Sequence, residues 1–323
     1  MNAAPVRFDG RVAVVTGAGN GLGRDYALAL AARGARVVVN DLGVDTRGQA
    51  LQPGSQSSAE QVVREIIAAG GEAIACHESC ATRSGGAAIV AAALETFGRI
   101  DILIHNAGFL RNAPFEALDD DQIASIMDVH LMAAFHLGQP AFRQMKAQGY
   151  GRILLTSSAS GAFGTEWQAN YAAAKMGLVG LVNVLALEGA KCGITVNGLL
   201  PAGSGRLGTS TDVDWPADFA SQRPAGMELV RPAMRNAFVT PMVLWLVSEA
   251  CGTTRHLYSA TAGRFARVFI AATQGWLCDQ ANPPSPEDIG RHMAQIDDVS
   301  RFGIPQSMFD EYRQIIEALK AQR

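Results

Sequence analysis

The chain has few cysteines, little net charge and no long apolar run, and each shortage removes a class of function. Its five cysteines are an odd number scattered through 323 residues; they make no disulfide framework and fit reduced thiols in a cytoplasmic setting. A formal charge of −3 without any dense Lys/Arg block leaves no electrostatic footprint for nucleic acid or an anionic membrane surface. No stretch of eighteen apolar residues occurs, so no membrane span is expected. Asp9 and Arg11 precede the first apolar run, which is not the order of a secretory leader, and the closing Ala-Gln-Arg is unlike a Ser-Lys-Leu peroxisomal address. Cys76-His77-x-x-Cys80 resembles half a metal site, but no second ligand pair stands at matching distance, so no metal is expected.

What is present is ample apolar content, 48% of the residues, in a repeating order. Short β-branched runs alternate with long Ala-rich amphipathic stretches, the pattern of a parallel sheet covered by helices on both faces. Strands are predicted at Arg11–Thr16, Arg36–Asn40, Glu72–Cys76, Asp101–His105, Gly151–Thr156, Thr195–Leu200 and His256–Ser259. Helices are predicted from Leu22 to Arg33, from a Ser57-x-x-Glu60 capping box, from Asp120 toward Lys146, and over Asn170–Cys192. The fold class is α/β: one doubly wound Rossmann domain over residues 1–280 with a mostly parallel sheet of about seven strands. A C-terminal helical extension follows over 281–323, with Ser285 as N-cap and Pro286 at the first helical position. Two irregular segments stand out. Thr46–Ser58 is a surface loop near the expected adenosine end, and Ala202–Ala237, with three prolines, is long enough to serve as a substrate lid.

The first chemical motif is Thr16-Gly17-Ala18-Gly19-Asn20-Gly21-Leu22-Gly23, set between an apolar strand and an amphipathic helix. Glycines permit a tight turn and close approach of a pyrophosphate, and the helix N-terminus offers free N–H donors. Asp41 closes the second strand about twenty residues on, where a carboxylate accepts bonds from adenosine ribose hydroxyls and repels a 2′-phosphate. Neither Asn20 nor Leu42 supplies an arginine, so NAD is favoured over NADP; a strand-end Asp capping a turn is the competing reading.

The second motif is Tyr171-Ala-Ala-Ala-Lys175, whose spacing puts both side chains on one helix face, with Ser158 thirteen residues upstream after a strand. A free phenol, pKa near 10, is too weak a base at neutral pH, so a neighbouring ammonium and a positive nicotinamide ring are needed to favour phenolate. Ser158 is placed to hold the substrate oxygen at the sheet's carboxyl edge.

In this order, the glycine loop, His105-Asn106-Ala107-Gly108, Ser158 and Tyr171-x-x-x-Lys175 resemble the short-chain dehydrogenase/reductase family over roughly residues 8–275. Val39-Asn40-Asp41-Leu42-Gly43, Tyr150-Gly151-Arg152-Ile153, Thr156–Gly161 and Gln168-Ala169-Asn170-Tyr171 are similar to the (3R)-hydroxyacyl-CoA dehydrogenase unit of type-two multifunctional enzymes, also counted among 17-beta-hydroxysteroid dehydrogenases. The resemblance implies NAD-dependent interconversion of a secondary alcohol and a ketone on a lipid-like substrate, either a thioester or a sterol, in a homodimer or homotetramer. It also implies cofactor contacts from Asn106, Ala107 and Gly108, with Asn106 toward the nicotinamide. The family's usual relay asparagine falls at His130, which is either a relay titrating near physiological pH or a helix-packing histidine. Pro201-Ala202-Gly203 departs from the family's Pro-Gly.

For the substrate, Phe163, Trp167, Trp215, Phe219 and Met227 line a bulky apolar pocket or belong to ordinary core. Arg206, Arg223, Arg231 and Arg235 receive coenzyme A phosphates or form a solvated rim. Another aromatic or alicyclic alcohol, and a non-catalytic NAD-binding regulator, are the alternatives; retention of both Tyr171 and Lys175 speaks against the regulator.

Overall fold

The computed structural model describes residues 5–45, 47–49, 58–203, 214–221 and 224–321. Ser57, Arg206, Arg223 and most of the Thr46–Ser58 segment lie outside them. The described chain divides into two compact units, Met1–Arg267 and Val268–Arg323.

In the first unit, eight described strands form one sheet in the order β3-β2-β1-β4-β5-β6-β7-β8. They are β1 Val12–Thr16, β2 Arg36–Asn40, β3 Glu72–Cys76, β4 Ile102–His105, β5 Gly151–Thr156, β6 Ile194–Ala202, β7 Leu257–Thr261 and β8 Arg264–Val268. β1 to β7 pair in parallel. The eighth strand goes beyond the expected seven: β7 turns through Ala262 and Gly263 at φ 49° and 77°. Two residues with positive φ make a hairpin turn, so β8 runs antiparallel at the edge.

Helices α1 Gly21–Ala31, α2 Ser58–Ala68, α3 Arg83–Phe97, α4 Asp120–Met127, α5 Ala133–Gln148, α6 Ala159–Phe163 and α7 Ala169–Gly189 follow the predicted order. Side chains on β1 alternate between two cores, as a period of two requires. Ala13 and Val15 join Tyr26, Leu30, Val62 and Val243 on one face. Val12 and Val14 join Ile89, Leu137, Leu178 and Val182 on the other. Helix α7 with its following turn, Ala169–Cys192, is long and apolar enough to cross a membrane by length and composition alone. Its packing accounts for part of that apolarity: Ala174, Leu178, Val182 and Ala186 are buried, and the buried Lys175 shares their helix.

Between α4 and α5 the single expected helix holds a π-helical turn, Asp128–Met132. Such turns break the regular hydrogen-bond ladder and occur often at functional sites.

The sheet order reverses between β1 and β4, so the crevice where ligands bind in doubly wound folds opens beside their carboxyl ends. Thr16, His105 and Thr156 stand at that edge. Past β6 the described part of the proposed lid is irregular, with single turns at Met227–Val230, Arg231–Ala233 and Asn236–Phe238.

The second unit starts at Val268, earlier than the expected break at residue 280, because Ala272–Thr273 pairs downstream with Phe302–Gly303. Its helices are Pro286–Ile296 and Met308–Ala321. The first carries the expected cap, completed into a capping box by Asp288, and His292 stacks on Trp276 at 3.8 Å.

Candidate active site

A cavity of about 650 Å³ runs along the carboxyl edge, lined at one end by Asp41 and Leu42 and at the other by Ser158, Tyr171 and Lys175. Gly17, Asn20, Gly21, Leu22, Asn106, Ala107, Gly108 and His130 line the stretch between. The glycine loop is held too closely for side chains. Gly17 has φ 63°, and a Cβ on Gly23 would sit 2.3 Å from the Gly17 carbonyl oxygen. At Gly19 a Cβ would come within 2.7 Å of Asp41 Oδ2, whose oxygen accepts the Gly19 N–H at 2.9 Å. Asp41 Oδ1 accepts the Gly43 N–H, also at 2.9 Å. Asp41 thus braces the loop and also faces the cavity.

Asn106 performs a similar bracing. Its Nδ2 donates to the carbonyls of Thr16 and Gly17, at 3.1 and 3.3 Å. Its amide donors are therefore engaged with the loop. The Thr16 hydroxyl accepts from the Asn106 and Ala107 N–H groups at 3.0 and 3.1 Å.

Ser158 caps α6, accepting the Ser160 N–H at 3.1 Å, and hydrogen-bonds the Tyr171 phenol. Lys175 Nζ donates to the Thr156 carbonyl at 2.6 Å and lies 5.6 Å from the centre of the Tyr171 ring. The electrostatics differ from expectation. Burial pushes Lys175 down to about 7, so part of it is uncharged at neutral pH. Enclosure raises the Tyr171 phenol, against the opposing pull of the Ser158 bond. Burial alone thus opposes both charged forms, and the phenolate expected of the ammonium and the nicotinamide ring together needs that ring.

His130 sits in the π-turn, 1% exposed, with its ring edge-on to Tyr171 at 5.0 Å between centres. Its Nε2 lies 2.8 Å from the Phe109 carbonyl and its Nδ1 is buried without a partner among the described residues. Burial, then the charge of Lys175, holds it well below the usual histidine range. The expected titration near physiological pH is therefore corrected: His130 stays neutral there.

Several residues at the site carry no motif. Buried Asn112 donates to the Asp214 carbonyl at 2.9 Å and accepts from Gln168 Nε2 at 3.2 Å, tying the segment after β6 to the start of α7. Asn170 Nδ2 donates to the carbonyls of Arg111 and Gln122, which fixes α7 beside α4. Trp215 lines the cavity and stacks on Phe219 at 4.1 Å, whereas Phe163 is 70% exposed. Trp167 adopts a positive φ of 64°.

The glycine cradle, the ribose-side carboxylate and the Ser-Tyr-Lys cluster fit a nicotinamide dinucleotide. Among the described residues no group of three or more metal-ligating side chains occurs. The short chain dehydrogenase family profile matches residues 11–214. The chain is 42% identical over 98% of its length to mouse peroxisomal multifunctional enzyme type 2, of which it spans 40%. It is 40% identical over 90% of its length to a short-chain type dehydrogenase/reductase of Mycobacterium tuberculosis, spanning 95% of that protein. The solved full-length peroxisomal multifunctional enzyme type 2 of Drosophila melanogaster superposes with a TM-score of 0.78 and 31% identity, over 98% of this chain and 51% of the other. The chain thus spans 40% and 51% of these two multifunctional relatives, and it belongs to the short-chain dehydrogenase/reductase family.

Proposed function

We propose that this oxidoreductase uses NAD to interconvert a secondary alcohol and a ketone on a bulky lipid-like substrate, a 3-hydroxyacyl-CoA or a hydroxysteroid, with the thioester preferred. The observation that carries the reading is one cavity lined by both the glycine loop and Ser158, Tyr171 and Lys175. A bound nicotinamide supplies the hydride acceptor. The chain's own groups handle the proton. Tyr171 takes it from the substrate hydroxyl, Ser158 holds the substrate oxygen, and Lys175, anchored on Thr156, supplies positive charge beside the phenol. His130 backs the phenol as a neutral wall with one free ring nitrogen, which keeps a relay role open to it.

Asp41 supports NAD over NADP, since a carboxylate at the end of β2 repels a 2′-phosphate. The thioester preference rests on Arg231 and Arg235, both exposed, flanking Met234 on the cavity wall, where guanidinium groups suit phosphates. A homo-oligomer is proposed from apolar side chains exposed on the long helices: Met132 and Phe135 near the start of α5, and Met176, Val184 and Leu187 on α7. Five free cysteines support a reducing, cytoplasmic setting. The deciding assay compares a medium-chain 3-hydroxyacyl-CoA with a free hydroxysteroid, each with NAD and with NADP. Faster turnover of the thioester with NAD is expected; a preference for the sterol, or for NADP, overturns the corresponding part.

A further inference from the structure

We infer that His105 is a positioning residue for the catalytic pocket: as an Nε2-protonated imidazole it holds the main-chain carbonyl of His130, and so the π-turn, against the strand that leads into the glycine loop. This rests on the proposed proton chemistry at Tyr171.

His105 ends β4 and is 1% exposed. Its Nε2 lies 3.1 Å from the His130 carbonyl oxygen, and its Nδ1 lies 3.4 Å from the Thr16 hydroxyl. A carbonyl can only accept, so Nε2 carries the hydrogen. Thr16 Oγ1 already accepts two backbone N–H groups, which leaves its own proton for His105 Nδ1. One neutral tautomer therefore satisfies every partner. Burial holds the ring down to about 4, so it keeps that tautomer across the physiological range.

The consequence lies two contacts away. The π-turn that His105 grips carries the imidazole standing edge-on to the Tyr171 ring, and that imidazole is pinned on its other side by the Phe109 carbonyl. The packing leaves no slack: a Cβ added to Gly108 would lie 2.1 Å from His130 Cε1. A continuous path thus runs from Thr16, at the foot of the glycine loop, through His105 and the His130 backbone to the wall behind the phenol. His105 does not itself line the cavity, whereas His130 does, so its effect on the proton step acts through His130.

Three substitutions separate the two arms. Asn places an acceptor near the Nδ1 position and loses the reach to His130; Gln places a donor near Nε2; Ala removes both. The first readout is ¹⁵N NMR of the histidine-labelled full chain, with His105 assigned by its disappearance in His105→Asn. An Nε2-protonated ring that does not titrate between pH 5.5 and 8 is expected, and an Nδ1-protonated or titrating ring overturns the inference. The second is turnover of a medium-chain 3-hydroxyacyl-CoA with NAD, alongside NADH binding by fluorescence. His105→Asn and His105→Ala should lower kcat about 10- to 100-fold, the scale of a small misplacement of a reacting group. NADH affinity and KM should change little, and His105→Gln should recover most of kcat. Wild-type kcat in His105→Asn, or equal loss of NADH binding and thermal stability in all three variants, overturns it. Tyr171→Phe is the control: if it still turns over, the reading of the site fails, while the NMR result judges His105 separately.

Discussion

At the amino end of the sheet, Asp101 is fully buried and its oxygens accept from Arg11, from Arg99 through two donors, and from the Val12 N–H, all within 3.1 Å. Beside it Arg152 donates to the carbonyls of Ser248, Gly151 and Gly193, and both Arg152 and Arg11 lie over the Tyr150 ring. In the catalytic cluster at the carboxyl end the polar groups are equally buried and less satisfied. Lys175 Nζ donates to one carbonyl, and Thr156 Oγ1 and His130 Nδ1 have no partner among the described residues. Buried polar groups are ordinarily paired, because leaving one unpaired costs about 1–3 kcal/mol. The saturated cluster around Asp101 and Arg152 holds the fold together; the unsaturated catalytic cluster bears a cost that a ligand and a mobile proton can relieve.

That contrast breaks most sharply at Asp101. Asp101→Ala should cost about 3 kcal/mol, the low end for stripping a partner from a buried charge pair, since Arg11 and Arg99 both reach solvent. By calorimetry that is a drop in Tm of about 6 °C or more, with kcat per folded molecule unchanged. Ser158→Ala should do the reverse, lowering kcat about 10²-fold as expected for a donor to a reacting oxygen, with Tm nearly constant. A fall in Tm matching that of the Asp101 variant would erase the distinction between the two ends.

Asp41→Asn sharpens a smaller effect. It keeps the shape but removes the negative charge that repels a 2′-phosphate, so the ratio of kcat/KM with NAD to that with NADP should fall about tenfold, close to the worth of one charged interaction. An unchanged ratio would confine Asp41 to bracing the loop.

A further effect concerns pH. Unfolded, Lys175 keeps its proton up to its ordinary 10.5, whereas folded it releases it at about 7. Between those values the unfolded chain binds more protons, so stability rises with pH, and the burden on the fold is complete only below about pH 7. Lys175→Met should flatten the rise in urea midpoint between pH 7 and 9. His105 and His130, both shifted below 6.5, act in a lower window and should leave that difference untouched.

The sequence made β1 to β7 legible because they are short, largely apolar runs, and it made the glycine loop and the Ser-Tyr-Lys spacing legible because each needs fixed offsets. β8 escaped notice because Arg264-Phe-Ala-Arg-Val268 is partly exposed and half polar, and only the Ala262-Gly263 turn betrays it. The π-turn had no clear sign, since one extra residue shifts the apolar pattern at a single point, which ordinary scatter in an amphipathic helix also does. The low position of Lys175 was hidden because it comes from enclosure, which depends on tertiary packing. Asn112 and Gln168 meet across 56 positions, and nothing local announces such a bond.

Tyr171→Phe tests the central claim most directly, measured by NAD titration calorimetry and by single-turnover formation of NADH from a 3-hydroxyacyl-CoA. The account predicts dinucleotide affinity within about twofold of wild type and a loss of hydride transfer of about 10³-fold or more, within the range for removing a positioned acid–base group. Turnover within tenfold of wild type, or no dinucleotide binding by the wild-type protein, would contradict it.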